Sequence, residues 1–138
     1  MADGYSDASD ETADRGGIRV IGTTLWLTTC GSAFGALARY EVGRLVGGYA
    51  RSAFPWGTWL INMLGTALFG IFAGLFAVTA PSLFIVLGAG FCGGFTTFSA
   101  LSVDTIALFR TNRMLSLVYL VSSLGLGLVV AWLVQLWL

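Results

Sequence analysis

Polar and apolar residues are sorted along this chain on a scale far longer than a helical turn. Residues Met1 to Gly17 are small and polar, with five acids (Asp3, Asp7, Asp10, Glu11, Asp14) and almost no large apolar side chain. Four apolar stretches follow, from about Val20 to Val46, Gly57 to Val78, Ser82 to Phe109 and Met114 to Leu138. Each reaches the roughly 20 residues that a helix needs to cross the hydrocarbon of a bilayer. Four segments cannot close a barrel, so helix is the spanning form. The pattern predicts an all-α membrane protein with a four-helix domain over 18–138. The first 17 residues cannot bury enough surface to offset their ordering entropy and are expected to form a disordered acidic tail. The links at Gly47 to Trp56, Thr79 to Pro81 and Arg110 to Arg113 are short, so successive helices run antiparallel and both termini share a side.

Composition sharpens this picture. The chain of 138 residues is 57% hydrophobic and 10% charged, with mean hydropathy +0.85. A soluble domain carries roughly 25% charged residues, so the apolar excess has to face lipid. Net charge is zero, with no basic patch to hold a phosphate backbone, which argues against nucleic acid as a partner. There is no histidine, and Cys30 and Cys92 form no CxxC; zinc ligation and a disulfide framework are poorly supported. Nothing resembles a nucleophile with a base, so an enzyme is not expected. Arg15 and Arg19 lie on one side, and Arg44, Arg51, Arg110 and Arg113 on the other, a modest bias toward a cytoplasmic first loop.

Glycine spacing points to close helix packing. Gly31 and Gly35, Gly70 and Gly74, and Gly90 and Gly94 are GxxxG pairs, which let membrane helices approach backbone to backbone. Four helices alone enclose little space for a pathway, so an oligomer is expected. Within the spans, Thr58, Asn62 and Thr66 follow at i, i+4 and i+8 on one face of the second helix. An Asn amide is costly in lipid, so Asn62 either lines a pathway or bonds across an interface. Tyr119 and Ser123 stack on the fourth helix with Ser116 a turn earlier, although Tyr119 also suits an interfacial anchor. Arg39 either snorkels to an interface or makes a structural ion pair. The segment Gly88-Ala89-Gly90-Phe91-Cys92-Gly93-Gly94-Phe95-Thr96-Thr97-Phe98-Ser99 favours a break in the third helix, the alternative being a glycine-rich packing helix.

Three stretches resemble the CrcB, or Fluc, family of fluoride channels. They are Gly35-Ala36-Leu37-Ala38-Arg39-Tyr40, then Pro55-Trp56-Gly57-Thr58-Trp59-Leu60-Ile61-Asn62-Met63-Leu64-Gly65, then Gly90-Phe91-Cys92-Gly93-Gly94-Phe95-Thr96-Thr97-Phe98-Ser99. The resemblance runs from about Gly31 to the C-terminus. It implies an antiparallel dual-topology homodimer in the plasma membrane, with two narrow pores for passive fluoride export. It further implies a central sodium ion on the backbone carbonyls of Gly93 and Thr96. A fluoride pathway would include Asn62 and Phe98 and a row of hydroxyls at Thr58, Ser102, Tyr119 and Ser123, with Arg39 structural. Two positions depart from the family: Leu101 stands where a second phenylalanine is usual, and Gly127 where a hydroxyl is expected. Leu101 keeps a heterodimer with a second homologue open. The competing membrane reading, a small proton-coupled multidrug antiporter, needs a carboxylate deep in the first helix, and Glu41 near its end is the one acid there.

Overall fold

The computed structural model describes residues 5–49 and 52–137, and among these all regular structure is helical. Helix α1 is Tyr5–Tyr49 and α2 is Trp56–Phe76. Helix α3 is continuous but changes its winding, from an α-turn at Pro81–Phe84 through a wider π-stretch at Ile85–Cys92 to a last α-turn at Gly93–Phe95. Helix α4 is Phe98–Thr111 and α5 is Arg113–Trp137. Four lengths are long and apolar enough to cross a membrane: Arg19–Tyr49, Trp56–Phe76, Pro81–Thr111 and Arg113–Trp137. Helices α3 and α4 are therefore two halves of one span.

The ends of these helices are set by local chemistry. Pro81 opens α3, where its missing N–H would have had no helical acceptor. Asn112 makes the turn from α4 to α5 alone. Its N–H donates to Leu108 O at 2.6 Å, and its Oδ1 accepts the Leu115 N–H at 3.0 Å, so one residue caps both helices.

Helix α1 does not begin where the apolar run begins. It starts at Tyr5 and would extend about 67 Å at full length. Helix runs from Tyr5 onward, and of the segment expected over residues 1–17 to form a disordered acidic tail, residues 1–4 lie outside the described residues. Extending an existing helix adds one hydrogen bond per residue without a new nucleation cost.

Glycines hold α1 against α3 with no room for a side chain. A Cβ on Gly31 would meet Val86 O, and one on Gly35 would meet Phe91 O and, at 2.8 Å, Phe95 N. From the other side, a Cβ on Gly90 would lie 2.9 Å from Thr28 O, and one on Gly94 would meet Ser32 O. Two of the predicted GxxxG pairs therefore face each other, and Ser32 Oγ donates to Gly90 O across the seam at 3.1 Å. Helix α2 packs chiefly on α5, where Gly70 lies under Val134. Helix α4 packs on α5. Most large apolar side chains face outward, Trp26, Phe34, Leu128 and Trp132 among them, as lipid-facing surface requires.

The seam makes a direct prediction. Gly94→Ala should lower stability by about 1–3 kcal/mol through overpacking against a carbonyl that cannot move away. Gly22→Ala, where a Cβ meets nothing within 4 Å, should be neutral or stabilising by up to about 1 kcal/mol. Thermal unfolding of the two variants in detergent checks this, and equal midpoints would refute the seam.

Candidate functional site: the interrupted third span

The third span breaks, but not on its glycines. Gly88, Gly90, Gly93 and Gly94 all stay helical. The chain becomes extended at the next two residues, Thr96 (φ −78°, ψ 161°) and Thr97 (φ −152°, ψ 117°). Two β-branched residues in a row are poor helix continuers, and glycine serves packing here. Helix α3 closes with Thr96 N–H donating to Cys92 O at 2.9 Å. Thr97 then turns away. Its N–H donates to Asn62 Oδ1 at 2.9 Å, and its carbonyl accepts from Asn62 Nδ2 at 3.2 Å. One amide side chain thus satisfies both polar groups of an extended peptide residue inside the bilayer, where water cannot. Thr97 also starts α4, its Oγ1 accepting the Ala100 N–H at 3.2 Å.

A helix broken in this way exposes two opposite ends. The last carbonyls of α3 have lost their helical donors and carry partial negative charge, while the first N–H groups of α4 carry partial positive charge. Arg39 reaches one of those carbonyls, with Nη1 donating to Thr96 O at 3.4 Å. Sequence offered an interfacial position or an ion pair for it; among the described residues it has no acidic partner, and it points inward at the break. Among the described residues no cluster of side chains has the makeup of a metal site, so a cation at this break would rest on backbone oxygen. Uncharged carbonyls are suitable ligands for a hard cation.

Below the break, α2 is shaped to fit. A Cβ on Gly65 would run into Thr96 Cγ2, so glycine is what lets Thr96 sit there. Thr66 Oγ1 donates to Asn62 O at 2.8 Å, the ordinary back-bond of a membrane threonine, and holds no partner across helices. Thr58 lines a cavity of about 570 Å³ with Arg39, Ile61, Thr97 and Asp104. On α5, Tyr119 is fully enclosed and its hydroxyl donates to Asp104 Oδ2 at 3.3 Å, which excludes the interfacial-anchor alternative. Ser116 Oγ donates to Thr105 O at 2.8 Å. Ser123 Oγ is buried with no hydrogen-bond partner.

The sequence that builds this arrangement is similar to those of known proteins. The family described as "CrcB-like protein, Camphor Resistance (CrcB)" matches residues 26–135. The chain belongs to the CrcB family. Its relatives include a protein named fluoride-specific ion channel FluC 2 from Rhodococcus jostii (strain RHA1), 42% identical over 111 residues that cover 80% of this chain and 94% of the relative. Another, fluoride-specific ion channel FluC from Nitrobacter winogradskyi, is 43% identical and covers 76% of this chain and 86% of its own. Fluoride-specific ion channel FluC 1 from Symbiobacterium thermophilum is 44% identical over 106 residues, covering 73% of this chain and 86% of its own.

In this CrcB chain the expected site residues fall into two groups. Asn62, Thr58, Thr96 and Gly93 gather around the break, while Tyr119 and Ser123 form a buried row on α5. Phe98 stands apart, 77% exposed on the first turn of α4. Ser102 Oγ bonds back to Phe98 O at 3.0 Å. Leu101 turns inward, packed in a core with Leu108 and Tyr119, against which Phe54, Trp59 and Leu115 lie. Gly127 sits opposite Met63, with ordinary room for a Cβ at 3.5 Å from Met63 Cε. Two residues escaped selection from sequence. Thr97 was readable as a threonine preceding an apolar helical run, the usual N-cap signal, and Asp104 as a carboxylate too costly in lipid to lack a partner. Glu41 is exposed and held by Arg44 at 2.7 Å, which leaves the Arg19–Tyr49 span without the deep carboxylate that a proton-coupled antiporter needs.

The cap is separable from the Asn62 contact. Thr97→Val keeps the backbone bonds to Asn62 but removes the acceptor for Ala100, and should cost about 1 kcal/mol, whereas Thr97→Ser should retain wild-type stability. Detergent unfolding curves for the pair decide it; a valine variant as stable as wild type would show that the cap carries nothing.

Proposed function

We propose that this chain is a subunit of a fluoride-selective channel that exports fluoride passively across the plasma membrane. The observation that carries the reading is the interrupted third span, sealed by Asn62, in a chain whose CrcB relatives are named fluoride-specific ion channels. It is a transport protein and not an enzyme. Fluoride is small and strongly hydrated, so a selective path must replace its water with many hydrogen-bond donors. Neutral hydroxyls, amide N–H groups and the positive edges of aromatic rings do this without holding the ion so tightly that it stays. Thr58, Ser102, Tyr119 and Ser123 supply the hydroxyls, Phe98 the exposed ring, and Asn62 retains one N–H beyond the one given to Thr97. The unpartnered, buried Ser123 hydroxyl supports this assignment, because a side chain serving only packing would ordinarily be satisfied.

The functional unit is a pair of copies, antiparallel in the membrane. Three features of the single subunit support it. Gly93 faces open space, with nothing within 4 Å of a Cβ placed there, and it borders a groove of about 310 Å³ lined by Gly65, Gly88, Cys92 and Thr96. Phe98 projects from the subunit. The carbonyls of Gly93 and Thr96 provide two oxygens, too few to replace a cation's hydration shell, and a second copy doubles them. Sodium on these carbonyls would supply fixed positive charge at the pairing face.

Fluoride efflux from liposomes loaded with potassium fluoride tests the reading. The wild-type protein should empty the vesicles of fluoride while leaving chloride and proton gradients standing. Phe98→Ile should block efflux with dimer mass unchanged. Gly93→Ala should shift the protein toward monomer in detergent while helix content stays the same, since the added methyl meets nothing within one chain. Absence of wild-type fluoride flux would overturn the function, and a dimeric Gly93→Ala variant would overturn the pairing face.

A further inference from the structure

We propose that Asn62 is a positioning residue for the cation site, because by accepting the Thr97 N–H it leaves the Gly93 carbonyl without its helical donor. The inference rests on the reading that a cation sits at the break, and it gives Asn62 a task besides donating to fluoride.

The argument is one of donor accounting. In an uninterrupted α-helix the N–H of residue 97 would close onto the carbonyl of residue 93. The preceding bond of that series is made, Thr96 N–H to Cys92 O at 2.9 Å. The next is not, because the Thr97 N–H goes to Asn62 Oδ1 at 2.9 Å. Asn62 Nδ2 meanwhile holds the Thr97 carbonyl at 3.2 Å, so the residue is gripped from both sides and cannot rotate back toward α3. A carbonyl whose donor has been taken away is left with both lone pairs free for a ligand.

The neighbouring contacts are consistent with a built device. Gly65, three residues after Asn62 on α2, leaves room for the Thr96 methyl and fixes the height of α2 against the break. Thr96 O, the other candidate ligand, faces a 3.4 Å contact from Arg39, a long bond that a cation could displace. Gly93 itself opens onto empty space. Asn62 thus acts on the cation through Thr97 and Gly93, as outer-shell partners act on metals through their ligands.

The roles of the two Asn62 atoms separate by substitution. Asp at this position keeps an acceptor for the Thr97 N–H and loses the donor to its carbonyl; Ala loses both. The test is the sodium dependence of thermal unfolding of the full-length protein in detergent, titrating sodium chloride against N-methylglucamine chloride. Wild-type protein and Asn62→Asp should reach half-stabilisation at similar sodium concentrations, although Asn62→Asp should fail to pass fluoride. Asn62→Ala should require about tenfold more sodium or greater. An alanine variant with wild-type sodium dependence would overturn the proposal while leaving the cation reading intact. A wild-type protein indifferent to sodium would remove the cation reading and the proposal together, with fluoride efflux judged separately in liposomes. Should Asn62→Ala not fold, the unsubstituted protein still decides the matter. Asn62 and Asn112 are the two asparagines of the chain, so 15N-asparagine labelling isolates their side chains. The Asn62 amide resonances should shift when sodium is withdrawn and those of Asn112 should not. An Asn62 signal unmoved by sodium would refute the link.

Discussion

A peptide interrupted halfway across a bilayer has no water to turn to, and the structure depends on how that debt of hydrogen bonds is met. Each buried backbone group left without a partner costs about 1–3 kcal/mol, and Thr97 brings two of them to mid-membrane. Asn62 meets both at once. An amide presents an acceptor and a donor on two atoms side by side, as a peptide does. A serine or threonine hydroxyl donates and accepts from a single atom and does not span the N–H and C=O of one residue as the two amide atoms do, and a carboxylate would set a charge against the Thr97 carbonyl. The choice of residue follows from the geometry of the gap.

The gap is stable because its surroundings do not yield. Helix α1 lies against α3 with glycines interlocked on both sides of the contact, so α3 is held at backbone distance along most of its length. The widened winding at Ile85–Cys92 belongs to this contact, since it carries Val86 O and Phe91 up against Gly31 and Gly35. The end of α3 is thereby fixed in space, and the start of α4 is fixed by the Thr97 cap and by packing on α5. Between two fixed ends the extended pair Thr96–Thr97 has a single conformation. The broken span then offers carbonyls on one side and N–H groups on the other, so that the proposed cation and anion sites would lie a few residues apart on the same chain.

Much of this was legible in the sequence, for reasons that differ from element to element. The spans follow from hydropathy alone, because lipid admits so few alternatives. The Gly31/Gly35 and Gly90/Gly94 pairs follow from helical spacing, although spacing did not say that they face each other. The break was readable from the glycines and the two β-branched threonines of one segment, and it is at the threonines, whose branching at Cβ is the local cause, that the chain departs from helix. What stayed hidden was whatever depends on a partner from another helix. Asn62 was conspicuous as a polar residue in lipid, yet its use by Thr97 requires α2 to lie beside the break. Arg39 was expected to leave the membrane or find an acid, and it turns to Thr96 O, a ligand that no sequence pattern advertises.

Charge placement around the cavity at α1, α2 and α4 bears on the anion path proposed above. Arg39 and Asp104 line the same cavity without pairing to each other. Each spends itself on a neutral group, Arg39 on the Thr96 carbonyl and Asp104 on the Tyr119 hydroxyl. One positive and one negative charge so placed leave little net charge for a passing ion to meet. An isolated arginine would retain fluoride, and an isolated carboxylate would exclude it; with an effective dielectric near 20, a unit charge 4 Å away is worth about 4 kcal/mol in either direction. Opposed charges reduce that barrier and that trap together, and leave recognition to dipoles. A path of hydroxyls and amides works as a selective conductor only if the charges nearby are balanced in this way, so the Arg39 and Asp104 contacts belong to the same design as the donors they flank.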